Sequence, residues 1–448
     1  MVIRSLQSRL GRVPILRLGL WSLAGLGGYV FARFVVNIFV ARMLTPADVG
    51  VMILITSIRL GFELLSDIGI EQNIVKHAAG GDDRFLSTAW IMQLARGCVL
   101  CLLFLGLSPS LAELFQIDRH YLYAISLAPL ITSLHSPAIF LLVRELKVKE
   151  RSLFELKADL FSSFLTILLV YLHPSIWSLV IAQLLGIGFR SLLSYTLPRA
   201  EIQRGFSRFH AGDIIRFGRW ITLSSAALFL ASHIDKVLLG AIVPLATLGI
   251  YGLARALADV PVLVARRLSY QVVFPALSKS LEQGCSEDLQ AFARLRYRFV
   301  LLVAACAGAA LPLSDVAIFV LYGQRYGGAA PILAVLIVAS WIAIASNLNE
   351  ARMLSAGRPV YESIANGTKL AILAFGCPWA YSAHGIVGAA VVVTLSEFGR
   401  YLIVAVGMKR TEAAFLRQDA VATLVGCMAA AAIWALRSGF ALWEIVPR

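Results

Sequence analysis

Ionisable side chains stand inside long apolar runs of this sequence. Such residues are costly in a membrane and usually face a bundle interior or a watery cavity. Between 47 and 73 the chain carries Arg59, Glu63, Asp67 and Glu71, spaced i, i+4, i+8 and i+12, a stripe on one helix face. Arg33 lies one turn from both Tyr29 and Asn37. Gln93 and Arg96 share another apolar run, and His233, Asp235 and Lys236 cluster in a fourth. Arg255 and Asp259 are one turn apart, as are Glu397 and Arg400. Two kinds of chemistry follow. A guanidinium fork donates two charge-assisted hydrogen bonds to a phosphate, so Arg33, Arg59, Arg96, Lys236 and Arg255 are the expected anion-holding set. The acids Asp67, Asp235 and Asp259 are the expected carriers of a coupling ion. Burial favours a protonated carboxyl while a neighbouring Arg opposes it. His233 has the chemistry of a proton relay, and equally that of a hydrogen-bonded structural histidine. Asn37 and Gln93 would add polar lining.

Each acid also has a plainer reading, in which it neutralises a neighbouring base and fixes helix packing. Arg59–Glu63, Arg255–Asp259 and Glu397–Arg400 admit both. Lys147, Lys149, Lys157, Arg266 and Arg267 stand at helix ends, where long side chains reach the interface. Arg33 and Arg96 have no acid at helical spacing in their own runs, so any partner must come from elsewhere.

The elements that position these groups are transmembrane helices. Of 448 residues, 59% are hydrophobic and 15% charged, against roughly 25% charged in soluble domains. Apolar runs of about 20 residues, the length that crosses a hydrocarbon core, alternate with short charged segments. They lack the period-2 pattern of barrel strands, so they are helical. Thirteen spans are expected at about 18–42, 47–73, 85–107, 120–143, 153–172, 175–198, 214–241, 245–275, 296–321, 329–352, 358–380, 384–407 and 418–436. With the N-terminus cytoplasmic, that side holds 22 loop Lys and Arg and the other side five. The net charge of +14 is spread between spans, which argues against a nucleic-acid surface. Arg4, Arg9, Arg12 and Arg17 precede an apolar run too long for a cleaved signal. Cys98 and Cys101 form a C-x-x-C inside an apolar helix and read as small buried thiols.

A shift of 199 residues lays Ile15-Leu16-Arg17-Leu18-Gly19-Leu20-Trp21 on Ile214-Ile215-Arg216-Phe217-Gly218-Arg219-Trp220 and brings Gly50 onto Gly249. Seven of 36 gapless positions from 15 to 50 are identical. Both segments start at the same membrane face, so the repeat is parallel. The expected fold is therefore all-α: a polytopic membrane protein of two six-helix bundles around a central cavity, plus one extra C-terminal helix. The divisions are 1–200, 201–410 and a peripheral helix with its tail at 411–448.

Neither H-E-x-x-H, a Walker-type loop nor G-x-S-x-G occurs in the sequence, so no catalytic residue, metal or cofactor is expected. Leu44-Thr45-Pro46-Ala47-Asp48-Val49-Gly50 resembles the L-[ST]-P-x-[DE]-[FV]-G turn of the polysaccharide transporter family, Wzx-type flippases of the multidrug/oligosaccharidyl-lipid/polysaccharide exporter superfamily. Asp67-Ile68-Gly69-Ile70 resembles the D-x-G-[IL] that follows it. Asp235-Lys236-Val237-Leu238-Leu239-Gly240, Leu248-Gly249-Ile250-Tyr251 and Ala254 are similar to the signature of its seventh and eighth spans. The likeness covers about 10–410.

The resemblance implies alternating access, a polyprenyl-pyrophosphate oligosaccharide as cargo, and a prokaryotic inner membrane. It also allows H+ or Na+ as coupling ion, contact with membrane lipids, and a polysaccharide polymerase as partner. A lipid-linked cell-wall precursor is a rival cargo, because its pyrophosphate wants the same bases. Drug–cation antiport would favour an acidic or aromatic cavity. Arg33→Ala and Arg59→Ala are expected to lose transport at normal expression; near-wild-type flux in both would remove their phosphate-holding role.

Overall fold

The computed structural model describes residues 15–198, 205–269, 286–355, 360–408 and 413–439. Arg4, Arg9, Arg12, the expected division near 200, the loop bases Arg199, Arg204 and Lys279, and the tail Phe440–Arg448 lie outside them. Every regular element among the described residues is helical. The first half comprises α1 (Ile15–Met43), α2 (Pro46–Leu65), α3 (Ile70–Lys76), α4 (Asp83–Phe115), α5 (Arg119–Ile125), α6 (Ala128–Ser133), α7 (Ala138–Arg144), α8 (Val148–Leu172) and α9 (Ile176–Ser194). The second comprises α10 (Arg208–Ile242), α11 (Leu245–Leu268), α12 (Ser286–Ala310), α13 (Ser314–Tyr322), α14 (Ala329–Ser355), α15 (Val360–Met408) and α16 (Ala413–Gly439).

Seven of these helices are long and apolar enough to cross a membrane, and up to ten segments are if each bent pair is one span. The protein is therefore a multi-pass membrane protein. Large side chains such as Phe375, 83% exposed, and Trp379, 69% exposed, cover its outside. Such a belt suits hydrocarbon rather than water.

Several expected spans are interrupted, each for a local reason. The second breaks by 43° between α2 and α3. There the Asp67 carboxylate accepts the Gly69 N–H at 2.9 Å, and Gly69 takes a left-handed φ of 65°. The fourth falls into α5, α6 and α7, with Pro137 at the break before α7 and a 56° bend there. The ninth passes through a 3₁₀ turn, Leu311–Leu313, at Pro312. The eleventh and twelfth form α15, which reverses at Gly385 (φ 63°, ψ −155°). The reversal makes an antiparallel hairpin: Lys369 meets Glu397, and Gly407 lies against Tyr361.

The turn before α2 shows why its sequence is so constrained. The Thr45 hydroxyl accepts the Asp48 N–H at 3.2 Å, and the Asp48 carboxylate accepts the Thr45 N–H at 3.0 Å, a complete capping box with Pro46 in the first turn. The Leu44 carbonyl accepts from the Tyr326 hydroxyl and Arg325 Nη1, both at 3.2 Å. Arg42 Nε donates to the Leu321 carbonyl at 3.0 Å. The first half is thus tied at this end to the segment 320–326 of the second.

Beside that tie α2 and α11 touch backbone to backbone. A Cβ on Gly50 would lie 1.8 Å from the Leu245 carbonyl oxygen, and one on Gly249 would lie 1.9 Å from that of Pro46. The contact is reciprocal: each glycine meets the residue four places before the other. It maps onto itself under the 199-residue shift, as an isologous contact does. Around it a core joins both halves through Leu54, Ile55, Leu248, Tyr251 and Tyr326. The sixteenth helix packs on α12, where a Cβ on Gly308 would come within 2.0 Å of the Gly426 carbonyl.

Gly249→Val is expected to lower the melting temperature in detergent by several degrees, since overpacking costs about 1–3 kcal/mol. Gly367→Ala is the control, because a Cβ there meets nothing within 4 Å. Equal melting of both variants would show that the contact yields without cost.

Candidate functional site

A cavity of about 270 Å³ opens between the halves at the end of α11 remote from Gly249. It is lined by Gly25 and Tyr29 of α1, Ser152, Glu155 and Asp159 of α8, Arg190 of α9 and Arg267 of α11. Close helix approach shapes its wall: Gly25 lies against Ser152, where an added Cβ would be 3.1 Å from Ser152 Cβ. Glu155 accepts from Arg151 Nε at 3.0 Å, and Arg151 also reaches Glu71 at 3.0 Å. Asp159 feels the charges of Arg190, Glu155 and Arg33. The Arg190 guanidinium lies 5.9 Å from the Phe154 ring centroid, which leaves its edge for other partners. Two guanidinium groups from opposite halves therefore share a hollow with two carboxylates. The set can hold an anion against Arg190 and Arg267 and a cation or proton at Asp159.

The residues expected from sequence fall into four groups. Arg33 is exposed and does not line the hollow; its Nη1 donates to the Tyr29 hydroxyl at 2.8 Å. Asn37 is one turn further along α1 and half-buried.

Arg59 and Arg96 form the second group. Arg59 pairs with Glu63 at 2.6 Å. Arg96 crosses from α4 to the Glu63 carbonyl and, at 3.2 Å, the Ser66 hydroxyl. Gln93 donates to the Ser133 carbonyl at 2.9 Å and braces the broken fourth span.

Asp67 is a link between the halves. It accepts from the Ser225 hydroxyl of α10 at 2.9 Å, while Thr222 donates to its backbone carbonyl at 2.6 Å.

The fourth group lies inside the second half. Asp235 is buried and accepts from the Tyr251 hydroxyl at 2.7 Å. Arg255 pairs with Asp259 at 3.0 Å. His233 stacks on Phe229, with ring centroids 5.9 Å apart, and its buried Nδ1 has no hydrogen-bond partner among the described residues. Lys236 is half-buried beside them.

Sequence reasoning passed over Glu155, Asp159, Arg190 and Arg267 as lining residues. Arg267 reads as an interfacial side chain, yet it reaches the hollow. The available signal was Arg151, Glu155 and Asp159 at i, i+4, i+8 on α8, opposite an Arg within the sixth span. Two buried networks were not read in full, although the Glu397–Arg400 pair expected from sequence stands in the first at 3.4 Å. In one, Lys369 meets Glu397 at 2.6 Å and Arg400 meets Glu350 at 2.6 Å, with Asn347 accepting from Arg400 at 3.0 Å. One Glu350 oxygen has no partner among the described residues. In the other, Arg296 (side chain 1% exposed) pairs with Asp419 at 2.6 Å, and Asn349 and Tyr401 donate to the same carboxylate. This second network pins α16 to α12, α14 and α15.

Comparisons with known proteins identify the family and the fold. Residues 39–331 match the family described as polysaccharide biosynthesis protein. The chain is similar to the teichuronic acid biosynthesis protein TuaB of Bacillus subtilis, 23% identical over 300 residues, covering 66% of this chain and 62% of TuaB. It is also similar to the lipopolysaccharide biosynthesis protein WzxC of Escherichia coli, 22% identical, covering 66% of this chain and 61% of WzxC. The matches thus span about three-fifths of these relatives. Among solved structures, the lipid II flippase MurJ in an inward closed conformation superposes with a TM-score of 0.69 at 11% identity, over 96% of this chain and 100% of MurJ. A MATE transporter in a bent conformation gives 0.54 at 16% identity, over 93% and 96%. The fold is that of the exporter superfamily expected from the turn and signature motifs.

Asp419→Leu is expected to destabilise the protein by about 3–5 kcal/mol, because it strands the Arg296 charge in the interior. The double variant R296M/D419L should recover most of that loss in detergent unfolding. No recovery would show that the network contributes more than mutual neutralisation.

Proposed function

The chain belongs to the polysaccharide biosynthesis protein family, and on that premise we propose that it flips a polyprenyl-pyrophosphate-linked oligosaccharide from the cytoplasmic to the outer leaflet of a prokaryotic inner membrane. The observation that carries the reading is the ionic cavity between the halves, with Arg190 and Arg267 facing it from two sides. Two guanidinium forks suit a pyrophosphate, whose oxygens accept charge-assisted bonds in pairs. The polar head enters the hollow while the prenyl tail stays in lipid. The names of TuaB and WzxC, which tie relatives to extracellular polysaccharides, support this cargo, and so does the MurJ-like fold.

The N-terminus is cytoplasmic in this reading, by the loop charges. The cavity then faces the cytoplasm and the Gly50–Gly249 contact closes the outer side. The two ends behave as alternate gates of two six-helix lobes, and flipping exchanges which is closed. Arg33, bonded to Tyr29, and Arg59, Arg96, Lys236 and Arg255, deeper in the halves, guide the head group or set helix packing. Asp159 and Glu155 in the hollow join Asp67, Asp235 and Asp259 as groups that could exchange H+ or Na+ with the cycle. No catalytic group is needed, and a polysaccharide polymerase would take the product. A lipid-linked cell-wall precursor would engage the same two arginines through the same pyrophosphate.

Flux of a defined lipid-linked glycan in proteoliposomes, with and without a proton or sodium gradient, tests the reading. Arg190→Gln and Arg267→Gln are each expected to lower flux by about 10- to 100-fold, the worth of a charge-assisted hydrogen bond at roughly 1.5–3 kcal/mol. Wild-type flux in both would overturn it.

A further inference from the structure

The first half of α10 carries an exposed basic and aromatic face. The helix runs from Arg208 to Ile242, 35 residues, and bends by 55° between Arg208–Ala227 and Ser232–Ile242. At 1.5 Å per residue it is about 52 Å long, against a hydrocarbon core of about 30 Å. Even with the bend, roughly its first dozen residues have no room in the core and must lie among the head groups.

The register of this segment is fixed from inside. Ala211, Ile214, Gly218 and Ser225 form its buried stripe. A Cβ on Gly218 would come within 2.4 Å of the Ile68 carbonyl, and Ser225 is held by Asp67. The opposite stripe is forced outward. It carries Phe209, 73% exposed, then Arg216, Arg219, Trp220 and Leu223, with Trp220 62% exposed. The Arg219 guanidinium lies 5.5 Å from the Trp220 ring centroid. The only acid between 208 and 223 is Asp213, half-buried and 3.7 Å from His77. Neither Arg216 nor Arg219 makes an ion pair among the described residues. The sequence repeats the arrangement: Arg9, Arg17 and Trp21 stand 199 places before Arg208, Arg216 and Trp220.

We propose that this outward face is a docking surface for anionic phospholipid, the two guanidinium groups taking the head-group phosphate and Phe209, Trp220 and Leu223 the adjoining acyl chains. Charge complementarity selects the occupant. Two unneutralised cations at head-group depth, each backed by an aromatic or aliphatic side chain, fit a lipid that carries both a net negative charge and hydrocarbon. A zwitterionic lipid brings its own cation and gains less. The anchor sits at the start of α10, where the Ser207 N–H already donates to Thr88 at 3.1 Å, so lipid charge acts on the helix that Asp67 and Thr88 link to the first half. This surface is distinct from the cavity and does not depend on the cargo.

The test uses the full chain in detergent with brominated phosphatidylglycerol or brominated phosphatidylcholine as quencher, and Trp220→Phe to isolate the Trp220 signal. Phosphatidylglycerol should quench Trp220 at concentrations roughly twentyfold lower than phosphatidylcholine, the effect of two surface arginines. R216Q/R219Q should abolish the difference and R216K/R219K keep most of it. In the unaltered chain, NaCl at about 1 M, where the Debye length is about 3 Å, should abolish it too, which needs no variant to fold. Equal quenching by the two lipids, or a difference that survives both the Gln variant and salt, would overturn the proposal. So would displacement of phosphatidylglycerol by stoichiometric polyprenyl phosphate, because the carrier would then be the occupant.

Discussion

A charge taken into hydrocarbon must be matched where it stands, and that requirement organises this molecule. Arg296 with Asp419, Lys369 with Glu397, Arg400 with Glu350 and Arg59 with Glu63 each bring base and acid within 2.6 Å. All but the last join different spans, so neutralisation also decides which spans are neighbours. The extra C-terminal helix is held this way: Asp419 near its start and Arg437 near its end each meet a group on the ninth span. The hollow instead gathers its charges from both halves, with Glu155 accepting from Arg151 at 3.0 Å. Arg190 rests on a ring, and Arg267 comes from the opposite half.

The helical architecture was legible because its signals are local. Apolar length, loop charge and turn residues sit within one stretch of chain; the described helices fall at the expected positions, and seven to ten segments are long and apolar enough to cross, against thirteen expected. The hairpin reversal at Gly385 and the capping box at Thr45 could be read the same way. Breaks inside spans were less legible. Asp67-Ile68-Gly69 looks like part of a continuous helix until the Asp67 side chain takes the Gly69 N–H. The fourth span reads as one apolar run, yet the Ser136 N–H turns aside to the Ser194 hydroxyl of another helix.

None of the residues expected from sequence lines the hollow, for a related reason. Spacing identifies partners on one helix, such as Arg59–Glu63 and Arg255–Asp259. It says nothing about residues that converge from four helices, as Tyr29, Asp159, Arg190 and Arg267 do. Lys369 escaped notice because its acid, Glu397, lies 28 residues away across a hairpin. Arg33 and Arg96 lacked acids at helical spacing in their own helices, and each found neutral oxygen instead: a phenol for one, a carbonyl and a hydroxyl for the other. A base without a carboxylate is therefore not by that fact a ligand site.

The reciprocal glycine contact has a mechanical corollary. From Gly249 to Arg267 the eighth span is 18 residues long, about 27 Å along its axis. Two backbones pressed together at one tip can roll on each other but cannot interpenetrate, so that tip is a fulcrum. A swing of about 15°, the scale of known rigid-body rotations, would carry the far tip through about 7 Å. Small slippage at a pair of glycines thus becomes, by leverage alone, a displacement wide enough to admit a sugar ring.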